Sequence, residues 1–159
     1  MTLHLIRHAA AGDRTRWDGD DLERPLDQRG QAQATAIAAH FAGAPVRAVW
    51  SSIATRCVQT VSPLAEMHQL DVQPMRVLTE GARPGDVLEL LRAEAPVDGD
   101  LVLCSHGDLI PEVLNRLLRD GMTVVGARGC EKGSIWSLET KGRDIVRGTY
   151  LASPELSSS

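Results

Sequence analysis

Short aliphatic runs alternate with longer stretches of helical pattern along this chain, and that alternation limits the folds open to it. Thr2–Arg7 (TLHLIR), Val46–Trp50 (VRAVW), Val72–Leu78 and Leu101–Cys104 (LVLC) are brief apolar segments bounded by small or polar residues, as strands buried in a sheet are. Between the first two, Asp27 is placed to cap a helix over Gln31–Ala42, which Gly43 and Pro45 end. Ile53–Leu70 reads as helix, with Ser62-Pro63 expected to kink or restart it. Thr79–Pro84 reads as a loop. Pro84–Glu94 is a helix with proline in its first turn, and the helix that ends at Arg119 has Pro111 in the same position. Asp13–Arg24 carries both signs of charge without periodicity, so it reads as a surface loop, and Gly121–Gly133 reads as another. Ser134–Glu139 and Asp144–Leu151 form a hairpin about Lys141-Gly142. Strands alternating with helices predict the α/β class, as a three-layer α/β/α sandwich around a mainly parallel sheet.

At 159 residues the chain is the size of one domain. Residues 1–152 are assigned to it, and the Ser-rich segment 153–159 reads as a flexible tail. Aromatics make up only 3% of residues, so the core must be aliphatic, and stacking on a nucleic-acid base or a sugar ring is a poor first guess. A net charge of −4 argues against a nucleic-acid partner, which needs a basic footprint. Cys57, Cys104 and Cys130 are an odd, widely spaced set, unsuited to a disulfide framework or structural zinc. No apolar run approaches a membrane span and the N-terminus lacks a signal-peptide pattern, so the expected location is cytoplasmic, without a membrane partner.

In a parallel sheet, ligands bind beyond the carboxyl ends of the strands. Arg7-His8, Ser51-Ser52 and Ser105-His106-Gly107 fall there, and Arg56 lies one helical turn past Ser52. The result is a cationic pocket in an acidic protein. Arginine forks can grip phosphoryl oxygens while an imidazole attacks phosphorus. Ser105, His106 and Asp108 are too close in sequence for a hydrolase triad, and Ser105 lacks a G-x-S-x-G elbow. Cys104-x-His106 has no second ligand pair, so no metal site is expected. Without a G-x-G-x-x-G or Walker loop, no nucleotide cofactor is indicated. His4 is expected in strand packing, and His40 and His68 on helix surfaces. Arg24 and Lys132 either extend the phosphate site or are solvated.

These residues carry a family resemblance. Leu5-Ile6-Arg7-His8 resembles the N-terminal Arg-His signature of the histidine phosphatase superfamily, the phosphoglycerate-mutase-like proteins. Ser51-Ser52-x-x-x-Arg56-x-x-Gln59-Thr60 is similar to its second block, and Ser105-His106-Gly107 to its third. Arg24-Pro25-Leu26-x-x-x-Gly30 resembles the short, phosphohistidine-phosphatase-like branch. Lys132-Gly133-Ser134-Ile135-Trp136 resembles the domains fused to Nudix hydrolases. One departure is Ala9, where the family usually has glycine after the nucleophile.

The resemblance implies a cofactor-independent phosphatase. His8 would be the nucleophile, Arg7, Arg56 and His106 would cradle the phosphoryl group, and Glu80 would be the general acid and later base. The partner would be a phosphorylated small molecule, such as a sugar or nucleotide phosphate, or a phosphohistidine-bearing protein. A phosphoglycerate-type mutase is disfavoured because such enzymes carry longer insertions over the site. A non-catalytic phospho-ligand binding module is disfavoured by the intact Arg7, His8, Arg56 and His106.

Overall fold

The structure, a computed structural model, describes residues 2–154. Its strands are β1 (Thr2–Arg7), β2 (Val46–Ser51), β3 (Val72–Pro74), β4 (Asp100–Ser105), β5 (Thr123–Val125), β6 (Ile135–Lys141) and β7 (Asp144–Leu151). The helices are α1 (Gln28–His40), α2 (Thr55–Met67), α3 (Pro84–Glu94) and α4 (Ile110–Arg119). The strands form one sheet in the order β3-β2-β4-β1-β6-β7-β5. β3, β2 and β4 run parallel to β1; β6 is antiparallel to β1 and to β7, and β5 is parallel to β7. Every strand but β6 therefore points the same way.

Alternation along the strands builds the three layers, because successive side chains point to opposite faces. Leu3 and Leu5 of β1, with Leu101 and Leu103 of β4, pack with Val87 and Leu91 of α3 and Val113 and Leu117 of α4. Ile6, Val49, Val102 and Cys104 face the other way, onto Ile37 of α1, Phe41 at its C-terminal cap, and Val61 and Leu64 of α2. His4 lies on this second face. Its Nε2–H donates to Asp100 Oδ2 at 3.1 Å, Nδ1 accepts from Ser137 Oγ at 2.8 Å, and burial lowers its pKa.

Asp27 caps α1 as expected, its Oδ1 accepting the Gly30 N–H at 2.7 Å. That first turn presses on the loop after β1 so closely that a Cβ at Gly30 would lie 1.9 Å from the Ala10 carbonyl oxygen.

Four expectations need correction. α2 runs unbroken through Pro63, where kinking or restarting was expected. The expected strand Val72–Leu78 stops at Pro74 and gives way to a 3₁₀ turn, Arg76–Leu78, which buries Leu78 completely. The loop Gly121–Gly133 contains β5, a three-residue strand whose partner lies more than twenty residues onward. Asp13–Arg24 is not featureless, since Asp13 and Asp20 each cap a single 3₁₀ turn. Of the expected tail, Ser153 is anchored by its N–H to Glu131 Oε1 at 2.9 Å, and residues 155–159 lie outside those described. Among the described residues, no helix is long and apolar enough to cross a membrane.

Candidate active site

β1, β4 and β2 are adjacent, so their carboxyl ends bring His8, His106 and Ser52 to one edge. His8 is anchored there by its backbone N–H, which donates to Ser105 O at 3.0 Å. Its Nδ1 lies 2.8 Å from Ala9 O. A carbonyl can only accept, so Nδ1 carries the proton and Nε2 is left with a free lone pair. Burial depresses the His8 pKa to about 3; the Ala9 hydrogen bond opposes this, and His106, Arg56 and Arg7 add to it. The imidazole is neutral at pH 7, as a nucleophile must be.

Ala9 is fully buried and has no positive φ, so its methyl group fits without strain where a glycine is usual. Thr60 ties this turn to α2: its Oγ1 accepts from the Ala9 N–H at 2.9 Å and donates to Arg56 O at 2.6 Å.

His106 is buried, with its ring centroid 5.4 Å from that of His8. Its Nε2 lies 2.8 Å from Ser52 Oγ, which leaves Nδ1 as the ring nitrogen without a partner among the described residues. Arg7 donates from Nη1 to Cys130 O at 2.7 Å and lies flat against Gly107, where a Cβ would come within 2.6 Å of its Cζ. Arg56 is 1% exposed. It donates from Nη1 to Asp21 O at 2.8 Å, and its Nη2 lies 3.2 Å from Asp21 Oδ2 and 3.3 Å from Glu80 Oε2. Both arginines keep a buried Nε–H with no acceptor. An unsatisfied buried donor costs roughly 1–3 kcal/mol, a cost that Arg47 Nε also bears away from this edge.

The structure thus brings Arg7, His8, Arg56 and His106 together, with Glu80 at the rim. The two Glu80 oxygens accept from Arg14 Nη2 at 3.0 and 3.1 Å. Asp108 supports this rim by accepting the Gly81 N–H at 3.0 Å. Asp21, on the same rim as Glu80 and paired with the same Arg56 and Arg14, was missed by the sequence reading inside a stretch taken for surface loop. Burial opposes its ionisation, yet the Arg24 hydrogen bond and the charges of Arg56, Arg24 and Arg14 outweigh it and hold the carboxyl below its ordinary pKa. The signal was present in Asp21-x-x-Arg24, a spacing that allows an ion pair across one turn.

Arg24 is buried and donates to Ala11 O at 2.6 Å, so it clamps the loop, whereas the Lys132 side chain is exposed. Ser52 was placed at this edge without a role, and Thr60 was read only as part of a motif.

Comparison with known proteins agrees with this geometry. The sequence profile of the histidine phosphatase superfamily (branch 1) matches residues 3–87. An 8-oxo-(d)GTP phosphatase of Mycolicibacterium smegmatis (strain ATCC 700084 / mc(2)155) is 34% identical over 158 residues, which are 97% of this chain and 49% of that protein. The chain therefore spans about half the length of this curated relative. Among solved structures, the protein histidine phosphatase SixA complexed with tungstate superposes with a TM-score of 0.77 at 20% identity, covering 98% of this chain and 97% of the other. The native mycobacterial glucosyl-3-phosphoglycerate phosphatase Rv2419c superposes with a TM-score of 0.68 at 19% identity, covering 98% and 99%. With the profile spanning more than half of its residues, this chain belongs to the histidine phosphatase superfamily.

Proposed function

We propose that this chain hydrolyses a phosphomonoester through a covalent phosphohistidine on His8, without metal or cofactor. The observation that carries the reading is the neutral His8 imidazole, its Nδ1 held by Ala9 O and its Nε2 free, set beside His106 with Arg7 and Arg56 close enough to depress its pKa. The phosphoryl group sits between the guanidinium groups, which stabilise charge on its oxygens, and His106 donates from Nδ1.

His8 Nε2 attacks phosphorus, the N–P bond forms, and the P–O ester bond breaks. Glu80, released from Arg56 as the phosphoryl group takes its place and protonated from solvent, gives that proton to the departing alkoxide. Water then attacks the phosphohistidine and loses a proton to Glu80, and breaking of the N–P bond restores neutral His8 with release of phosphate. The kinship with an 8-oxo-(d)GTP phosphatase supports nucleoside phosphates as a substrate class.

The deciding experiment is a brief incubation with labelled substrate followed by rapid quenching. An acid-labile, base-stable label should appear on His8, and His8→Ala should abolish both label and turnover. Label on His106, Ser105 or Cys104 would overturn the assignment.

A further inference from the structure

The cradle accounts for the phosphoryl group and says nothing of the group it is attached to. That group must extend outward along the same sheet edge. On one side the way is lined by Arg14, Asp21 and Glu80, charged and already paired with one another. The other side differs. β5 runs parallel to β7 and hence to β1, so it ends at the edge where His8 lies, and residues 126–134 return along that edge to β6. α4 begins at the same edge, just after His106.

Between this return segment and α4 is a cavity of about 170 Å³. Its walls are Pro111, Leu114, Leu118 and Trp136, with Asn115 and Arg128 as polar groups. The segment is pinned in place by Trp136 Nε1, which donates to Gly129 O at 2.8 Å. Cys130 also lines the cavity, and its carbonyl oxygen accepts from Arg7 Nη1 at 2.7 Å. Cys130 therefore stands between the cavity and the phosphoryl cradle, touching both.

We propose that this cavity receives the base of a nucleoside phosphate whose phosphoryl group lies between Arg7 and Arg56. The inference rests on the phosphatase reading and names its substrate class. A polyol leaving group is a poor match, because apolar walls would strand its hydroxyls without partners. The volume suits one fused ring system and is small for a peptide segment. A base offers apolar faces to the leucines and proline, while its polar edge meets the Asn115 amide. Trp136 supplies an aromatic wall and the remaining packing is aliphatic, so the chain's scarcity of rings is no obstacle.

The test compares guanosine 5′-monophosphate with ribose 5-phosphate, which keeps the reacting bond and lacks the base. The wild-type protein should prefer the nucleotide in kcat/KM by roughly tenfold to a hundredfold, the worth of burying on the order of 100 Å² of apolar base surface. Leu118→Phe fills the cavity and should collapse that ratio towards one, through KM for the nucleotide. Equal rates on the two substrates in the wild type, or an unchanged ratio in the variant, would overturn the proposal.

p-Nitrophenyl phosphate reads the cradle separately. If it is cleaved while the nucleotide has no advantage, the base site fails and the phosphatase reading stands. If no substrate is cleaved, the Trp136 indole N–H resonance decides on the base site alone. Guanosine 5′-monophosphate should shift it in the wild type and not in Leu118→Phe, and an unmoved resonance in the wild type would refute the site.

Discussion

A histidine that attacks phosphorus must be unprotonated, and the environment of His8 sets how far into acid that condition holds. With a pKa of about 3, His8 should be ~99% neutral at pH 5, whereas an imidazole at the ordinary 6.5 would be only ~3% neutral, a roughly thirtyfold difference in available nucleophile. Histidine side-chain ¹⁵N NMR in phosphate-free buffer measures this directly: the His8 Nε2 resonance should stay unprotonated from pH 8 to below pH 5. Burial is the largest cause and the neighbouring charges come later, so Arg56→Gln should raise the midpoint only partway towards 6.5.

The linkage has a definite sign. The unfolded chain protonates this imidazole below about 6.5 and the folded chain only near 3, so its stability contribution is whole above pH 6.5. It is lost as pH falls from there towards 3, and is on the order of a few kcal/mol. Acid melts of wild type and His8→Asn should therefore converge as pH drops through that window. A His8 midpoint near 6.5, or melts that run parallel, would refute the burial argument.

Three further outcomes follow from close contacts and charges. Gly107→Ala places a methyl 2.6 Å from Arg7 Cζ, so it should lower kcat/KM by about 100-fold or more while the far-UV circular dichroism of the fold persists. Gly30→Ala drives a Cβ into the Ala10 carbonyl at 1.9 Å, so thermal melts should show a loss of roughly 1–3 kcal/mol as α1 is pushed off the nucleophile turn. Glu80→Gln should slow cleavage of an alkyl phosphate by about 100- to 10,000-fold and of p-nitrophenyl phosphate far less, since nitrophenolate departs without a proton; equal losses would remove Glu80 from the acid role.

The layers of this fold were readable because each buried strand is a short apolar run and each helix has a local start signal, such as Asp27 before α1 or Pro84 at the head of α3. Arg7, His8, Arg56 and His106 were readable for a related reason: each stands at or one turn beyond a strand end, so one-dimensional order already implies nearness. β5 was not, because three residues hold too little pattern and their hydrogen bonds depend on a strand encoded later. Val72–Leu78 misled because apolar character continues past Pro74 for the sake of burying Leu78 in a turn. Asp21 escaped notice for a different reason. Its importance comes from a guanidinium group thirty-five residues away that only the folded chain sets beside it.

The two carboxylates on Arg56 carry a consequence of their own. Without substrate, Asp21 and Glu80 already supply negative charge at the guanidinium group, so the protein is its own competing ligand. An arriving anion must outbid both. A phosphate monoester dianion brings two charges and three equatorial oxygens to do so, while a diester brings one charge and a monovalent ion such as chloride has no geometry to match the fork. On the proposed phosphatase reading, selectivity for terminal phosphoryl groups over internal diester linkages would arise from this internal contest, before any step of bond breaking.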